Sequence, residues 1–213
     1  MNIPILYSFR RCPYCIRAHM TLNYSRQKVI LRDVELRNLP QQVLDSSPNA
    51  TVPALVFSKD EFMHESWDIM KWAIHQNDPH NWSGINGTYL QEAQLLVETN
   101  DFSFKSNLDK YKYASRYPEH PMEHYRHLCE EFLTQLNLKL EANNFLLADR
   151  ITIADIAVFP FIRQFAMVDQ VWFDHSPYPA LQRWLSTMLS TEWFTEAFRK
   201  RDTWKTGSNN IYV

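Results

Sequence analysis

Four residues, Cys12-Pro13-Tyr14-Cys15, sit where a short apolar run gives way to a helical pattern, and this junction constrains the fold more than any other feature. The run is Ile3-Pro4-Ile5-Leu6-Tyr7, closed by Arg10-Arg11, and it reads as a buried strand. From Pro13 onward Ile16, Met20 and Tyr24 recur four apart on one helical face. The first helical turn accepts a proline because the N–H it lacks would have no intrahelical partner there. Lys28 to Glu35, with Val29, Leu31 and Val34, reads as a second strand. A strand–helix–strand unit of this kind is right-handed and pairs its strands in parallel.

Pro40 to Leu44 is a short helix candidate, and residues 53–57 and 62–64 read as two strands joined by Ser58-Lys59-Asp60. Ser66 caps a helix reaching about His75, with Ile69, Met70 and Ala73 inside. Asn77-Asp78-Pro79-His80-Asn81 is rich in turn formers and marks a linker. Beyond it the patterns are helical: Tyr89 to Ala114, then Met122 to Ala142 with a stripe of Tyr125, Leu128, Phe132, Leu136 and Leu140. Thr152 to Val168 is nearly all apolar and reads as a central helix kinked or divided at Pro160. Pro179 to Leu189 and Glu192 to Phe198 complete the set.

The expected organisation is an α/β domain of order βαβαββα over residues 1–77, a linker at 78–86 and an all-α bundle over 87–213. A chain of 213 residues accommodates two such units, and 45% hydrophobic residues provide cores for both. A formal charge of −2 leaves no excess of cations for phosphates, so no nucleic-acid partner is expected. Arg199-Lys200-Arg201 reads as a solvated helix end. No basic-then-apolar leader is visible, and the run Ile156 to Ile162 is far short of the roughly 20 residues needed to span a bilayer. With only 3 cysteines, these features point to a reducing, cytoplasmic setting and no membrane partner.

The chemistry lies at the junction. Cys12 falls at a helix N-terminus, where unpaired N–H groups and the macrodipole favour a thiolate, so its pKa is expected to drop. Arg10 and Arg11 would add to this if either pointed inward. Cys15 lies one turn on, in reach for a disulfide with Cys12. A Cys-x-x-Cys pair is also half of a zinc site, but two more ligands at sensible spacing are missing, Cys129 stands alone and the 8 histidines are scattered. No metal is expected, and Cys129 reads as a core thiol. Read alone, Val52-Pro53 is an ordinary trans proline opening an edge strand; a cis bond would leave the Val52 main chain able to pair with an extended ligand. Glu65-Ser66 is a cap beside a surface charge, or a receptor for a carboxylate and an amine.

In this order, Cys12-Pro13-Tyr14-Cys15, Val52-Pro53 and Glu65-Ser66 resemble the thioredoxin-like N-terminal half of glutathione transferases. Thr152-Ile153-Ala154-Asp155 is similar to the capping box that opens the family's core helix. Cys-Pro-Tyr-Cys is the glutaredoxin sequence, so the chain resembles the two-domain glutaredoxin-2 type and the omega-like cysteine transferases. That resemblance implies glutathione as co-substrate, bound by Pro13, Tyr14, Val52, Pro53, Glu65 and Ser66, with its sulfur beside Cys12. It further implies that Cys12 attacks glutathione mixed disulfides and that glutathione or Cys15 resolves the product.

The chain also departs from the family pattern. Leu39 stands where omega-type members keep a lysine, with Arg37 or Asn38 as substitutes, and Ala148 where a glycine is common before the residue matching Asp149. Tyr7 lies near the activating hydroxyl of tyrosine-type transferases. A conjugating transferase acting on electrophiles and a non-enzymatic binding module are therefore the alternatives. The partner is a small-molecule or protein disulfide, or an electrophile, with a homodimer as a further expectation. Phe102, Phe104 and Tyr111 are candidates to line the acceptor site.

Overall fold

The computed structural model describes residues 3–46 and 51–213, which fall into two compact units, one of residues up to His80 together with Thr191–Val213, the other Asn81–Ser190. In the first unit the order is β1 (Ile5–Ser8), α1 (Pro13–Tyr24), β2 (Ile30–Asp33), α2 (Gln41–Ser46), β3 (Ala54–Val56), β4 (Phe62–Met63) and α3 (Ser66–Gln76). This is the βαβαββα order expected from the sequence. The β1–β2 pair is parallel, with Ile5 opposite Ile30 and Tyr7 opposite Arg32. β3 pairs with β1 and β4 with β3, both antiparallel.

Alternation along β1 sorts its side chains onto two faces of the sheet. Leu6 joins Leu31 and Leu55 beneath Ala18 and Leu22 of α1 and Ile69 and Ala73 of α3. Tyr7 faces the other way, with Ala54, Val43 of α2 and Cys15. Each fully buried leucine contributes about 1.5–3 kcal/mol relative to exposure.

The sequence-based boundary fails at the far end of the chain. Residues 191–213, assigned above to the helical half, belong to the first unit. Helix α10 (Glu192–Ala197) packs on α1, and a two-residue strand, β5 (Ile211–Tyr212), pairs antiparallel with β2 to give the order β4-β3-β1-β2-β5. Val29 and Val213 exchange both main-chain hydrogen bonds, and Trp204 donates its N–H to the Asp33 carbonyl at 2.7 Å. These pairings satisfy β2 edge groups that no local pattern marks. Arg201 is not the solvated residue expected: its side chain is 7% exposed and bonds Glu196 at 2.5 Å. The expected linker is anchored at its start, where Tyr24 Oη donates to Asp78 and accepts the His80 N–H at 2.8 Å.

The second unit consists of α4 (Leu90–Thr99), a π-helical segment (Asn100–Phe104), α5 (Lys105–Lys112), α6 (Met122–Ala142), α7 (Ile153–Ala166), α8 (Gln170–Asp174) and α9 (Pro179–Leu189). α7 is buried almost all round and continues through Pro160 undivided. Its start is held by Asp155, 0% exposed, which accepts from Thr152 N at 2.8 Å, Thr152 Oγ1 at 2.7 Å, Leu146 N at 2.9 Å and Trp184 Nε1 at 2.8 Å. Burial pushes this carboxyl's pKa up, and the four donors hold it down against that. On α6, Leu128 is exposed and Cys129 takes the buried position instead; burial and Glu130 push that thiol to about 12. Phe104 and Tyr111 are sealed against Phe165, and Phe102 is exposed, so the first two are core and not lining.

Candidate active site

Cys12 is the N-cap of α1, in extended conformation, with Pro13 opening the helix. Its N–H is taken by the Phe9 carbonyl at 2.9 Å and its own carbonyl accepts from Ile16 N at 3.0 Å, which fixes the residue on both sides. The side chain is half-buried, and Sγ lies 3.8 Å from the Val52 carbonyl oxygen. The Val52–Pro53 peptide is cis, the less ordinary of the two readings.

Cys15 is a different sulfur. It is 1% exposed and accepts the Phe9 N–H at 3.3 Å. Burial pushes its thiol well above the ordinary range and the adjacent Cys12 adds to this, against a smaller opposing pull from Phe9. No disulfide joins the two. One thiol stands at the helix cap and the other is shut behind it.

Ser66 is the first residue of α3 and Glu65 its N-cap, so the cap lies one residue earlier than expected. The Ser66 hydroxyl is instead engaged by a residue that the sequence does not single out. Arg17, 1% exposed, donates Nε to Ser66 Oγ at 3.0 Å and lies 5.1 Å over the Tyr14 ring. The Ser66 hydroxyl, 3% exposed, accepts from this cation, which leaves its own proton available to donate. The α3 N-terminus and the Arg17 guanidinium both bring positive potential to this point, an arrangement suited to a carboxylate. Glu65 itself is exposed. The three-residue spacing of Arg17 from Tyr14 is in the sequence, but nothing local marks the side chain as buried.

The remaining candidates are placed plainly. Cys12, Cys15, Val52 and Tyr7 share one cluster on the α2 face of the sheet. Tyr7 is 1% exposed, and its hydroxyl accepts from Arg32 Nη1 at 2.6 Å. Arg10 lies over the Phe198 ring at 4.9 Å and Arg11 over Phe9 at 5.6 Å. Leu39 packs against the Cys12 cluster, whereas Arg37 and Asn38 are exposed.

Residues 6–81 match the glutathione S-transferase N-terminal domain and residues 122–186 the glutathione S-transferase C-terminal domain, between them more than half the chain. No curated protein matches the sequence. Among solved structures, the bacterial transferase BphK superposes with a TM-score of 0.78 at 21% identity, covering 91% of this chain and 97% of its own. Glutathione transferase Omega 3C from Trametes versicolor gives 0.74 at 17%, covering 95% and 92%. Poplar glutathione transferase F1 gives 0.75 at 16%, covering 92% and 97%. With both halves matched in order and the fold shared along nearly its whole length, this chain belongs to the glutathione transferase superfamily.

Proposed function

We propose that the protein is a glutathione-dependent thiol transferase that reduces glutathione mixed disulfides through Cys12. The carrying observation is the inequality of its two sulfurs: Cys12 is half-buried at the N-cap of α1, and Cys15 is sealed with its thiol pushed up by burial. The α1 N-terminus favours the anionic form of the first sulfur, and desolvation disfavours it for the second.

In this reading the Cys12 thiolate attacks the glutathione sulfur of a mixed disulfide. The old S–S bond breaks, a Cys12–glutathione disulfide forms, and the substrate leaves as a thiolate that takes up a proton. A second glutathione thiolate then attacks the bound glutathione sulfur, giving glutathione disulfide and restoring the Cys12 thiolate. Glutathione docks its main chain on Val52 beside Pro53, packs along Pro13 and Tyr14, places its γ-glutamyl carboxylate at Ser66 and its amine toward Glu65. Arg17 supports that carboxylate through Ser66. The cysteine mechanism is favoured over conjugation through Tyr7, because that hydroxyl is 1% exposed and already engaged by Arg32.

The test is turnover of a glutathione mixed disulfide by the parent, Cys12→Ser and Cys15→Ser proteins. Loss in the first and retention in the second are expected. Undiminished turnover by Cys12→Ser would overturn the assignment. Aryl-halide conjugation lost in Tyr7→Phe and kept in Cys12→Ser would install the conjugating reading in its place.

A further inference from the structure

A cavity of about 460 Å³ opens on the α2 face of the sheet, beside the start of β1, whereas Cys12 follows the end of that strand. Its apolar walls are Ile3, Ile5 and Val56, Tyr7 contributes a ring, and Phe57 borders it with its own ring turned to Trp72 at 5.0 Å. Its polar groups are Arg32, Lys59, Gln42 and Asp45.

Arg32 is the unusual member. Its guanidinium sits 4.2 Å from the Trp204 ring and 5.4 Å from the Tyr7 ring, two rings that meet edge to face at 6.3 Å. Nη1 donates to Tyr7 Oη at 2.6 Å, and Nε is buried with no partner. No carboxylate pairs with this cation among the described residues, although it is partly buried. A partly desolvated charge without a counterion is costly, and two aromatic faces compensate only in part. The rings also hold the guanidinium in one place, so an anion meeting it would find the donor already ordered. Lys59, at the exposed rim, adds a second cation without an ion-pair partner among the described residues. The one acid, Asp45, is turned to Gln41, whose Nε2 donates to it at 2.8 Å.

We propose that this cavity is a binding site for a small organic carboxylate with an apolar body, its anion held by Arg32 and Lys59 and its body against Ile3, Ile5 and Val56. Phosphate-rich ligands fit less well, since an acid accompanies the two cations and part of the wall is apolar. The C-terminal stretch supports the site from behind, through the Trp204 ring against Arg32.

The experiment is calorimetric titration of the full chain with 4-phenylbutyrate, in saturating glutathione so that the Cys12 site is filled. Saturable binding is expected, with the neutral 4-phenylbutanamide about tenfold weaker. Arg32→Gln should weaken the acid by about tenfold and leave the amide unchanged. Because Arg32 also packs against Trp204, the rim variant Lys59→Glu serves as a second arm: it should weaken the acid by about threefold or more and again spare the amide. No saturable binding at millimolar acid would show that Arg32 is a structural cation–π contact alone. Equal affinity for acid and amide, or an acid affinity unmoved by Lys59→Glu, would equally overturn the proposal.

Discussion

The two units each bury a polar centre, and the centres are finished differently. Around Asp155 four donors meet two carboxylate oxygens, all within 2.9 Å, in a place with no exposure. Around Cys12 and Ser66 the polar groups are fixed from behind, by Phe9, Ile16 and Arg17, and keep capacity in front. A saturated centre can only hold structure together, whereas one fixed on a single side can also take a ligand.

This contrast can be broken by substitution. Cys12→Ser should reduce mixed-disulfide turnover by about 10³-fold or more while the denaturation midpoint stays put. Asp155→Ala should do the converse, costing about 3–5 kcal/mol in chemical denaturation because several buried donors lose their acceptor at once. If Asp155→Ala left stability intact, the saturated-centre account would fail.

A third polar group sharpens the comparison by pH. His19 is 2% exposed and held down to about 3 by burial, with Arg201 adding to this and an Ala197 backbone bond opposing it. Its folded pKa lies below the unfolded one, so the unfolded chain binds the extra proton. The stability is complete above about pH 6.5 and is lost as the pH falls toward about 3. Between pH 7 and pH 5 the site should cost about 2 kcal/mol, and His19→Gln should flatten that part of the profile. An unchanged profile would place the proton elsewhere.

Two smaller effects probe the open centre itself. Arg17→Lys loses the planar Nε donor to Ser66 and should weaken glutathione binding about tenfold by calorimetry, with turnover at saturating glutathione less affected. Cys15→Ser should stay within about threefold of the parent in mixed-disulfide reduction, since a sealed thiol is a poor nucleophile. A collapse of activity in Cys15→Ser would make it the resolving sulfur.

What was legible in the sequence is what short-range pattern encodes. The apolar run of β1, Pro13 at a helix start and the Thr152–Asp155 box each announce themselves within a few residues, and the structure has all three. Cys12 at the start of a helix was legible as well, whereas the cis bond before Pro53 was not. Arg17, His19 and Arg32 were not, because a buried charge is identified only by what covers it. Those covers, α3, α10 and Trp204, come from 49 to 182 residues away in the clearest cases of Arg17 with Ser66 and Arg201 beside His19. β5 is invisible for the same reason: two residues carry no period, and the partner edge alone makes them a strand.

That last strand has a consequence for how the molecule comes into being. A ribosome makes β2 early and β5 at the very end of the described chain, with the whole of 81–190 in between. Until then the outer edge of β2 has no neighbour and Arg32 lacks its tryptophan. The intervening helices can mature on their own while the sheet waits, so the half that is begun first is the half that is completed last.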